Sequence, residues 1–544
     1  MTSDAPPPVG NDWGGLQPPS VDNWRPTTPV SVIIPARQCP ETLPLVLAGL
    51  AHQTYPSELL EVVVVDDGSE PKLELPELAP ANCRIVRAAD HSTGWGRANA
   101  LHVGVSVSDG EILHWLDADV VPFPDHVAAQ ARWHHAAPGL VTLGYKRFVS
   151  APLPAVDEVT RRAAAGTLGE LFPHSATEPH DYVEELIDGT EQLRAADHLA
   201  FRAHVGATAA LRRDLYQAAG GLDTSLRLGE DSEFGYRLAQ AGAVFVPEPQ
   251  SRSWHLGPSH AMRVGQRIRR HNRPYLADRM PLPRWLRGPA RRVWAVPLVT
   301  AVVTVNGAPA EQVQACVDRL LGSDEYDLRV LLVGDWSELS EQRRSVLDDP
   351  LLDLRLVAAA YRSEPRVSLV STAPTVAFPS PYLLRVPVQL GVAPRTVRRL
   401  VADADTWRAG VVQLLPGGTG TGPAPAAIEL WRTAAVNRAR RWLPQLPLPE
   451  AVARAWGSRW VGGEAYGVVD LTAAAAVPPG EANAASPAGS APTPSPEAAT
   501  PRAATPGPVM VAGLRSWLRA TRYVGRLAMR RAYQRMRLLT RRFG

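Results

Sequence analysis

Three apolar, β-branched stretches in the first 120 residues constrain the fold more than any other feature of this chain. They are VSVIIPA from Val30, EVVVVDDGS from Glu61 and EILHWLDADV from Glu111. Segments with helical patterning separate them, so strand and helix alternate along the chain. This alternation predicts a parallel sheet covered by helices. The expected fold class is therefore α/β, with a Rossmann-like, mostly parallel sheet.

Acidic residues follow two of these predicted strands directly: Asp66 and Asp67 after the second, and Asp117 and Asp119 after the third. In open α/β sheets, ligands bind outside the carboxyl ends of the strands. Carboxylates spaced as in LDAD can hold a divalent cation, which neutralises a nucleotide diphosphate as it leaves. Asp and Gly also end many strands merely as turn formers. Each motif by itself is therefore a weak signal.

A second acidic motif, LGEDSEFGYRLAQAGAVFVPE, begins at Leu228. Glu230 and Asp231 stand at the start of a predicted helix, where the helix N-terminus favours an ionised carboxylate. Such a carboxylate can take a proton from an acceptor hydroxyl. The alternative is that both residues only cap the helix.

These motifs together resemble a known enzyme family. SVIIPA, VVVVDDGS, GRANALHVG followed by SDGE, and LDAD come in the order, and near the spacing, of family 2 glycosyltransferases with the GT-A fold. LGEDSEFGYRLAQAGAVFVPE resembles the acidic motif of chondroitin-polymerase-type and polypeptide N-acetylgalactosaminyltransferase-type enzymes. The resemblance covers roughly residues 30–260. It implies transfer of a sugar from a UDP-sugar to an acceptor hydroxyl, with inversion at the anomeric carbon.

The resemblance also implies roles for individual residues. It assigns nucleotide-sugar binding to Pro35, Ala36, Arg37, Asp67, Gly96, Arg97, Asp117 and Ala118. It assigns the metal to Asp119, His255 and Asp117, and catalysis to Asp231 with Glu230. The expected cofactor is Mn²⁺ or Mg²⁺, and Mn²⁺ is preferred because it accepts a nitrogen ligand more readily. His102 stands where the family usually has Asn, so no role is carried over to it. Trp254 and the HVGATAALRR segment are expected to border the donor sugar and the acceptor.

The chain of 544 residues is too long for one ordinary core. Residues 1–28 are expected to be a disordered arm and 29–288 the catalytic GT-A domain. From Val293 the pattern repeats, but Gly334 replaces Asp66 and nothing like LDAD or GED follows. Residues 289–472 are therefore expected to be a degenerate GT-A-like domain. An Ala/Pro/Ser-rich linker (473–509) and an Arg-rich amphipathic helix (510–544) complete the prediction.

Composition and charge limit the partners. The last 35 residues contain ten arginines and no acid, whereas the net charge of the whole chain is +3, so the body is acidic. This distribution argues against nucleic-acid binding by the folded part and favours contact of 510–544 with an anionic membrane. Three separated cysteines and no signal pattern favour a cytoplasmic protein, peripheral on the inner face of the cell membrane. Arginine largely replaces lysine, which is typical of a GC-rich, actinobacterium-like genome.

Two other functions stay open at this point. A sugar-nucleotide pyrophosphorylase can share this architecture, although its GxGTRL-like opening is absent and SVIIPARQCP stands in its place. A non-catalytic scaffold is conceivable, above all for residues 289–472. The favoured hypothesis is a glycosyltransferase that acts on a glycan or lipid-linked acceptor in cell-envelope synthesis.

Overall fold

A computed structural model describes residues 6–288, 291–416 and 426–472 of the chain. The strands of the first half are β1 (Val30–Ala36), β2 (Leu60–Asp66), β3 (Cys83–Arg87), β4 (Ile112–Leu116), β5 (Val120–Pro122), β6 (Leu140–Val149), β7 (Thr177–Pro179), β8 (Thr208–Arg212) and β9 (Val244–Leu256). Its helices are α1 (Leu43–Ala51), α2 (Arg97–Ser106), α3 (His126–Ala136), α4 (Val156–Ala164), α5 (Asp181–Gly189), α6 (Arg213–Ala218), α7 (Glu230–Gln240) and α8 (His260–Arg279).

The first sheet has β1 near its centre. Its strand order is β3-β2-β1-β4-β8-β6-β9-β5, with β7 paired to β6. β1 is parallel to both β2 and β4. Its side chains alternate between two apolar clusters, with Ile33 in one and Val32 and Ile34 in the other. Burial on both faces explains why the strand is almost continuously hydrophobic. The expected α/β class with a mostly parallel sheet is confirmed.

The second half builds another sheet. Its strands are β10 (Val299–Thr304), β11 (Leu328–Val333), β12 (Val367–Val370), β13 (Tyr382–Arg385), β14 (Leu390–Gly391), β15 (Val411–Leu415), β16 (Ile428–Arg432), β17 (Ser458–Gly462) and β18 (Val469–Asp470). Its helices are α9 (Ala310–Leu321), α10 (Leu352–Tyr361), α11 (Thr396–Thr406), α12 (Thr433–Trp442) and α13 (Leu448–Ala455).

The two sheets follow the same plan. The second has the order β12-β11-β10-β13-β16-β15-β17, which matches β3-β2-β1-β4-β8-β6-β9 strand for strand. The orientations match too, since β10 is parallel to β11 and β13, and β16 is antiparallel to β13 and β15. The shared plan means that each position in the first sheet has an equivalent in the second.

The segment expected to be a disordered arm is packed from residue 6 onward, and this part of the prediction is wrong. The buried Asn11 side chain donates to the carbonyl oxygens of Leu193 (3.1 Å) and Phe245 (2.9 Å) and accepts from the Phe245 N–H (2.8 Å). The Trp13 ring packs edge-on against Trp133 at 5.5 Å. These contacts satisfy backbone groups and bury aromatic surface, which a polar, Pro-rich composition does not reveal.

The two halves share one continuous core. A single apolar cluster contains Ile33 and Trp115 from the first sheet together with Val299 and Tyr382 from the second. The expected linker 473–509 and tail helix 510–544 lie outside the described residues. Among the described residues, no helix is long and apolar enough to cross a bilayer.

Candidate active site

A cleft of about 920 Å³ opens at the carboxyl ends of β1, β2 and β4. Parallel strands deliver their last residues to the same edge of the sheet, so residues far apart in sequence meet there. Most of the predicted site residues line this one cleft: Pro35, Ala36, Arg37, Asp67, Arg97, Asp117, Ala118, Asp119 and His255. The sequence motifs therefore converge in space.

The acid pair after β2 divides into a structural and a site residue. Asp66 is buried, and its carboxylate accepts from the Ser69 N–H (2.8 Å), which closes the turn. Asp67 faces the cleft and accepts from the Gly96 N–H (2.8 Å). Burial raises the pKa of Asp67, while the Gly96 hydrogen bond and the Arg37 charge oppose this shift. Gly96, another predicted binding residue, thus borders the site through its backbone.

Asp119 and His255 are brought together by strand pairing. β5 runs antiparallel to β9 with Val120 opposite His255, and His255 Nε2 lies 3.7 Å from Asp119 Oδ1. Burial raises the pKa of Asp119 to about 7, and the nearby Asp117 carboxylate adds to the shift. Burial lowers the pKa of His255 to about 4, so its imidazole is uncharged at neutral pH. A carboxylate beside a neutral imidazole is a donor set for a divalent cation.

The predicted three-residue metal site is not assembled in the structure. Among the described residues, no group of three His, Cys, Asp or Glu side chains is arranged to hold a metal ion. Asp117 Oδ1 instead accepts from Arg97 Nε (3.0 Å) and Nη2 (2.8 Å). The Asp119–His255 pair still fits a cation that takes its remaining ligands from a bound diphosphate and water, as hard cations commonly do in phosphate sites.

Arg97 links the two acidic motifs. Its Nη1 donates to Glu230 Oε1 (3.1 Å), and its Nη2 also donates to the Gly206 carbonyl oxygen (2.8 Å). Burial alone would lower the pKa of Arg97, but the carboxylates of Asp117, Glu230 and Asp231 outweigh it and raise that pKa. The guanidinium therefore stays charged and holds the Asp117 and Glu230 carboxylates in place.

Glu230 and Asp231 form the first turn of α7, after Gly229 in the left-handed conformation (φ 83°). Glu230 is buried, and burial, followed by the Asp231 charge, raises its pKa. Asp231 Oδ1 accepts from the Ser232 N–H (2.7 Å), and among the described residues Oδ2 has no hydrogen-bond partner. Neither carboxylate is among the residues that line the cleft. Glu230 is joined to the cleft by its hydrogen bond from Arg97.

Residues 31–158 match the family model described as Glycosyl transferase family 2. A family 2 glycosyltransferase domain is thus matched over residues 31–158, from β1 into α4. It is 25% identical over 377 residues to a hyaluronan synthase of Pasteurella multocida, covering 63% of this chain and 35% of that protein. It is 23% identical over 359 residues to a chondroitin synthase of Escherichia coli, covering 63% of this chain and 50% of that protein. The chain thus spans about a third to a half of the length of these relatives.

Solved structures were also compared with the chain. A mannosyltransferase of Pyrobaculum calidifontis in complex with GDP-Man and Mn²⁺ matches with 22% identity and a TM-score of 0.31. The match covers 48% of this chain and 66% of that one.

Two residues of the first half differ from what the sequence analysis expected, and neither lines the cleft. Lys146 on β6 is buried, and burial lowers its pKa to about 8 although the Asp117 and Asp231 carboxylates oppose the shift. Its only signal in the sequence was rarity, since Lys72 is the other lysine of the chain. Trp254 does not border the cleft as expected. Its ring lies in the core against Phe123 and Phe172, because neighbouring residues of β9 face opposite sides of the sheet.

Gly206 is the point where the two motifs touch. A Cβ atom at this position, where φ is +59°, would lie 2.9 Å from Arg97 Nη1 and 3.2 Å from Asp231 Cβ. The sequence placed Gly206 in a segment expected to border the substrates. The structure shows that its lack of a side chain lets Arg97 pass beside Asp231.

The second sheet has lost two of the cleft's acids, those at the places of Asp117 and Asp119, and keeps one at the place of Asp67. Register places Val299 with Val30 and Tyr382 with Ile112. Counting from there, Pro387 stands where the family 2 domain has Asp117, and Gln389 stands where it has Asp119. Asp335 stands at the place of Asp67 and accepts from Asn306 Nδ2 (2.7 Å).

Proposed function

We propose that this chain is a metal-dependent glycosyltransferase that moves a sugar from a UDP-sugar to an acceptor hydroxyl. The observation that carries the proposal is the convergence of Asp67, Arg97 and the Asp119–His255 pair on one cleft at the sheet edge. A diphosphate needs positive charge around it, and a base or ribose needs a hydrogen-bond acceptor. The cleft offers both in one place.

The chain's own residues perform the binding and proton-transfer steps of the proposed mechanism. Asp67, with Pro35, Ala36 and Arg37, binds the nucleoside. Arg97 fixes Asp117 and Glu230 and presents positive charge to the diphosphate. Asp231 Oδ2 accepts the proton of the acceptor hydroxyl as that oxygen attacks the anomeric carbon, with inversion.

A divalent cation would be held by Asp119 and His255. When bound, it supplies charge that stabilises the departing nucleoside diphosphate. Mn²⁺ suits this pair, because one of its two protein ligands is an imidazole nitrogen.

The second sheet is proposed to be non-catalytic. Pro387 has no side-chain oxygen, and the neutral amide of Gln389 binds a divalent cation more weakly than a carboxylate does. Its proposed role is structural support of the first domain through their shared core.

The acceptor is proposed to be a glycan or a lipid-linked molecule of the cell envelope, reached from the inner face of the membrane. The Arg-rich segment 510–544 supports this proposal through its composition. Flotation with anionic vesicles tests it. The full chain should float, and a chain ending at residue 509 should float less; equal flotation would contradict the role of the tail.

The experiment that tests the activity is a donor panel. Release of the nucleoside diphosphate is measured with a series of UDP-sugars, with Mn²⁺ or with EDTA, for the wild type and for Asp119→Ala. We expect one donor to stand out, and turnover to fall at least 100-fold with EDTA or with the substitution. Full turnover in EDTA would contradict the role of the cation. Absence of turnover with every donor would contradict the proposed activity.

A further inference from the structure

The outer face of α8 carries an unusual concentration of positive charge. The helix contains six arginines and one acid, Asp278. Arg279 pairs with Asp223 (2.7 Å). The other five arginines are exposed, and among the described residues none has a carboxylate within ion-pair distance. We call them the α8 basic face: Arg263, Arg267, Arg269, Arg270 and Arg273.

This face lies directly beside the candidate active site. Ser259, which caps the helix, and Arg263 line the cleft. Farther along, the inner side of α8 packs on the loop before Asp231, since a Cβ atom at Gly229 would lie 2.8 Å from Asn272 Nδ2. The helix therefore borders the site through Arg263 and Asn272, while four of its arginines are exposed and do not line the cleft: Arg267, Arg269, Arg270 and Arg273.

Large apolar side chains are exposed on α8 and in the turn that follows it. Met262 is 48% exposed and Tyr275 46%, and Trp285, in the turn after the helix, is 69% exposed. Among the described residues of α8, Arg263 alone lines the cleft, and the other four arginines of the face are exposed. Exposed arginines on a helix that also exposes Met and Tyr, with an exposed Trp in the turn after it, suit the surface of an anionic lipid bilayer.

We propose that the α8 basic face docks on an anionic lipid surface and places the mouth of the cleft at the bilayer. Charge supports a single orientation, because the chain outside α8 and the last 35 residues is net acidic and would be repelled elsewhere. The docking surface itself does not depend on the proposed function. Its consequence does: if the chain transfers sugars, the acceptor is reached at the membrane.

Vesicle partitioning of full-length protein tests the docking. The variant carries Arg267→Gln, Arg269→Gln, Arg270→Gln and Arg273→Gln, and Arg263 is kept because it lines the cleft. The matched control changes four exposed arginines of the second half: Arg343, Arg362, Arg408 and Arg459. With vesicles of phosphatidylcholine containing 30% phosphatidylglycerol, about tenfold or greater loss of partitioning is expected for the α8 variant and little for the control. Equal losses in the two variants would overturn the proposal. The Arg-rich tail does not mask this loss. The affinities of two membrane contacts on one chain multiply, so weakening the α8 contact lowers the overall partitioning even when the tail is bound.

The Trp285→Ser variant distinguishes binding to a bilayer from binding to a soluble polyanion. This substitution leaves the charge unchanged and should lower partitioning several-fold, whereas Trp460→Ser, at a 59% exposed tryptophan of β17, should not. If the quadruple variant loses binding to an immobilised polyuronate but partitions to vesicles as the control does, the face binds a glycan and the proposal fails.

Donor turnover of the quadruple variant without vesicles should stay within about twofold of wild type. A chain with no turnover at all would contradict the proposed function and leave the vesicle result standing.

Discussion

Arg97 is the residue on which the geometry of the candidate site depends most. Its planar guanidinium group donates hydrogen bonds to three acceptors: the Asp117 and Glu230 carboxylates and the Gly206 carbonyl oxygen. A lysine at this place would offer a point charge and could not hold three acceptors at fixed angles. The sequence predicted that Arg97 belongs to the site. It could not predict this network, since Glu230 is 133 residues away along the chain.

Replacing Arg97 by Met should destabilise the fold by about 2–3 kcal/mol, because it leaves the Asp117 and Glu230 carboxylates without their cation. The double variant Arg97→Met with Glu230→Gln should regain part of this loss, since a neutral amide replaces the more deeply buried carboxylate. Urea unfolding of the wild type, both single variants and the double variant measures the coupling. Additive losses in the double variant would show that Arg97 and Glu230 do not interact energetically.

Asp231→Asn tests the proposed base. The amide keeps the shape of the side chain and can still accept the Ser232 N–H bond through its oxygen, but it cannot take up a proton. We expect kcat for the preferred donor to fall about 10²–10⁴-fold, with KM changed by no more than a few-fold. Initial-rate kinetics measure both, and Asp22→Asn, at an exposed carboxylate, is the control. A variant that keeps more than a tenth of the wild-type kcat would exclude Asp231 as the base.

At the scale of elements, α3 shows how burial sets protonation. His126 and His134 both lie on its buried side. Burial lowers the pKa of His126 to about 4, and burial together with the charge of Arg212 lowers the pKa of His134 to about 3. Both rings are therefore neutral in the folded protein at pH values where an unfolded histidine, with a pKa near 6.5, already binds a proton.

This difference makes stability depend on pH. The contribution of His134 is complete above pH 6.5 and is lost as the pH falls toward 3, because the unfolded chain then binds a proton that the folded chain does not. Between pH 7.5 and 5 the wild type should lose about 2 kcal/mol more of its unfolding free energy than His134→Gln does. Urea unfolding at both values measures this difference. His91→Gln, at an exposed histidine, should behave as wild type; the same behaviour in His134→Gln would refute the prediction.

At the scale of the whole molecule, the local hydrophobic pattern of the sequence predicted the first sheet and its acidic edge. It could not predict contacts between residues that are far apart in the chain. β1, β2 and β4 were evident, because buried parallel strands are apolar throughout and their ends face ligands. The packing of residues 6–28 was not evident, since the partners of Asn11 lie 182 and 234 residues away. The metal prediction was incomplete because it, too, depends on a contact between residues that are distant in sequence. The spacing in LDAD could not show that the Asp117 carboxylate is hydrogen-bonded to Arg97.

The two halves should unfold as one unit, and Arg438 on α12 provides the test. Its buried guanidinium donates to the carbonyl oxygens of Gly242 (3.0 Å), Ala243 (2.7 Å) and Pro8 (3.0 Å), so one side chain joins the second half, the first half and the N-terminal segment. Arg438→Met leaves these carbonyl groups without their hydrogen-bond donor and should lower the free energy of unfolding by about 3 kcal/mol or more. Arg454→Met, at an exposed arginine, should cost less than about 0.5 kcal/mol. Hydrogen exchange in urea, followed in peptides from β1 and β10, should show equal shifts in both sheets, because one apolar cluster spans them. A shift confined to β10 would mean that the second half unfolds independently of the first.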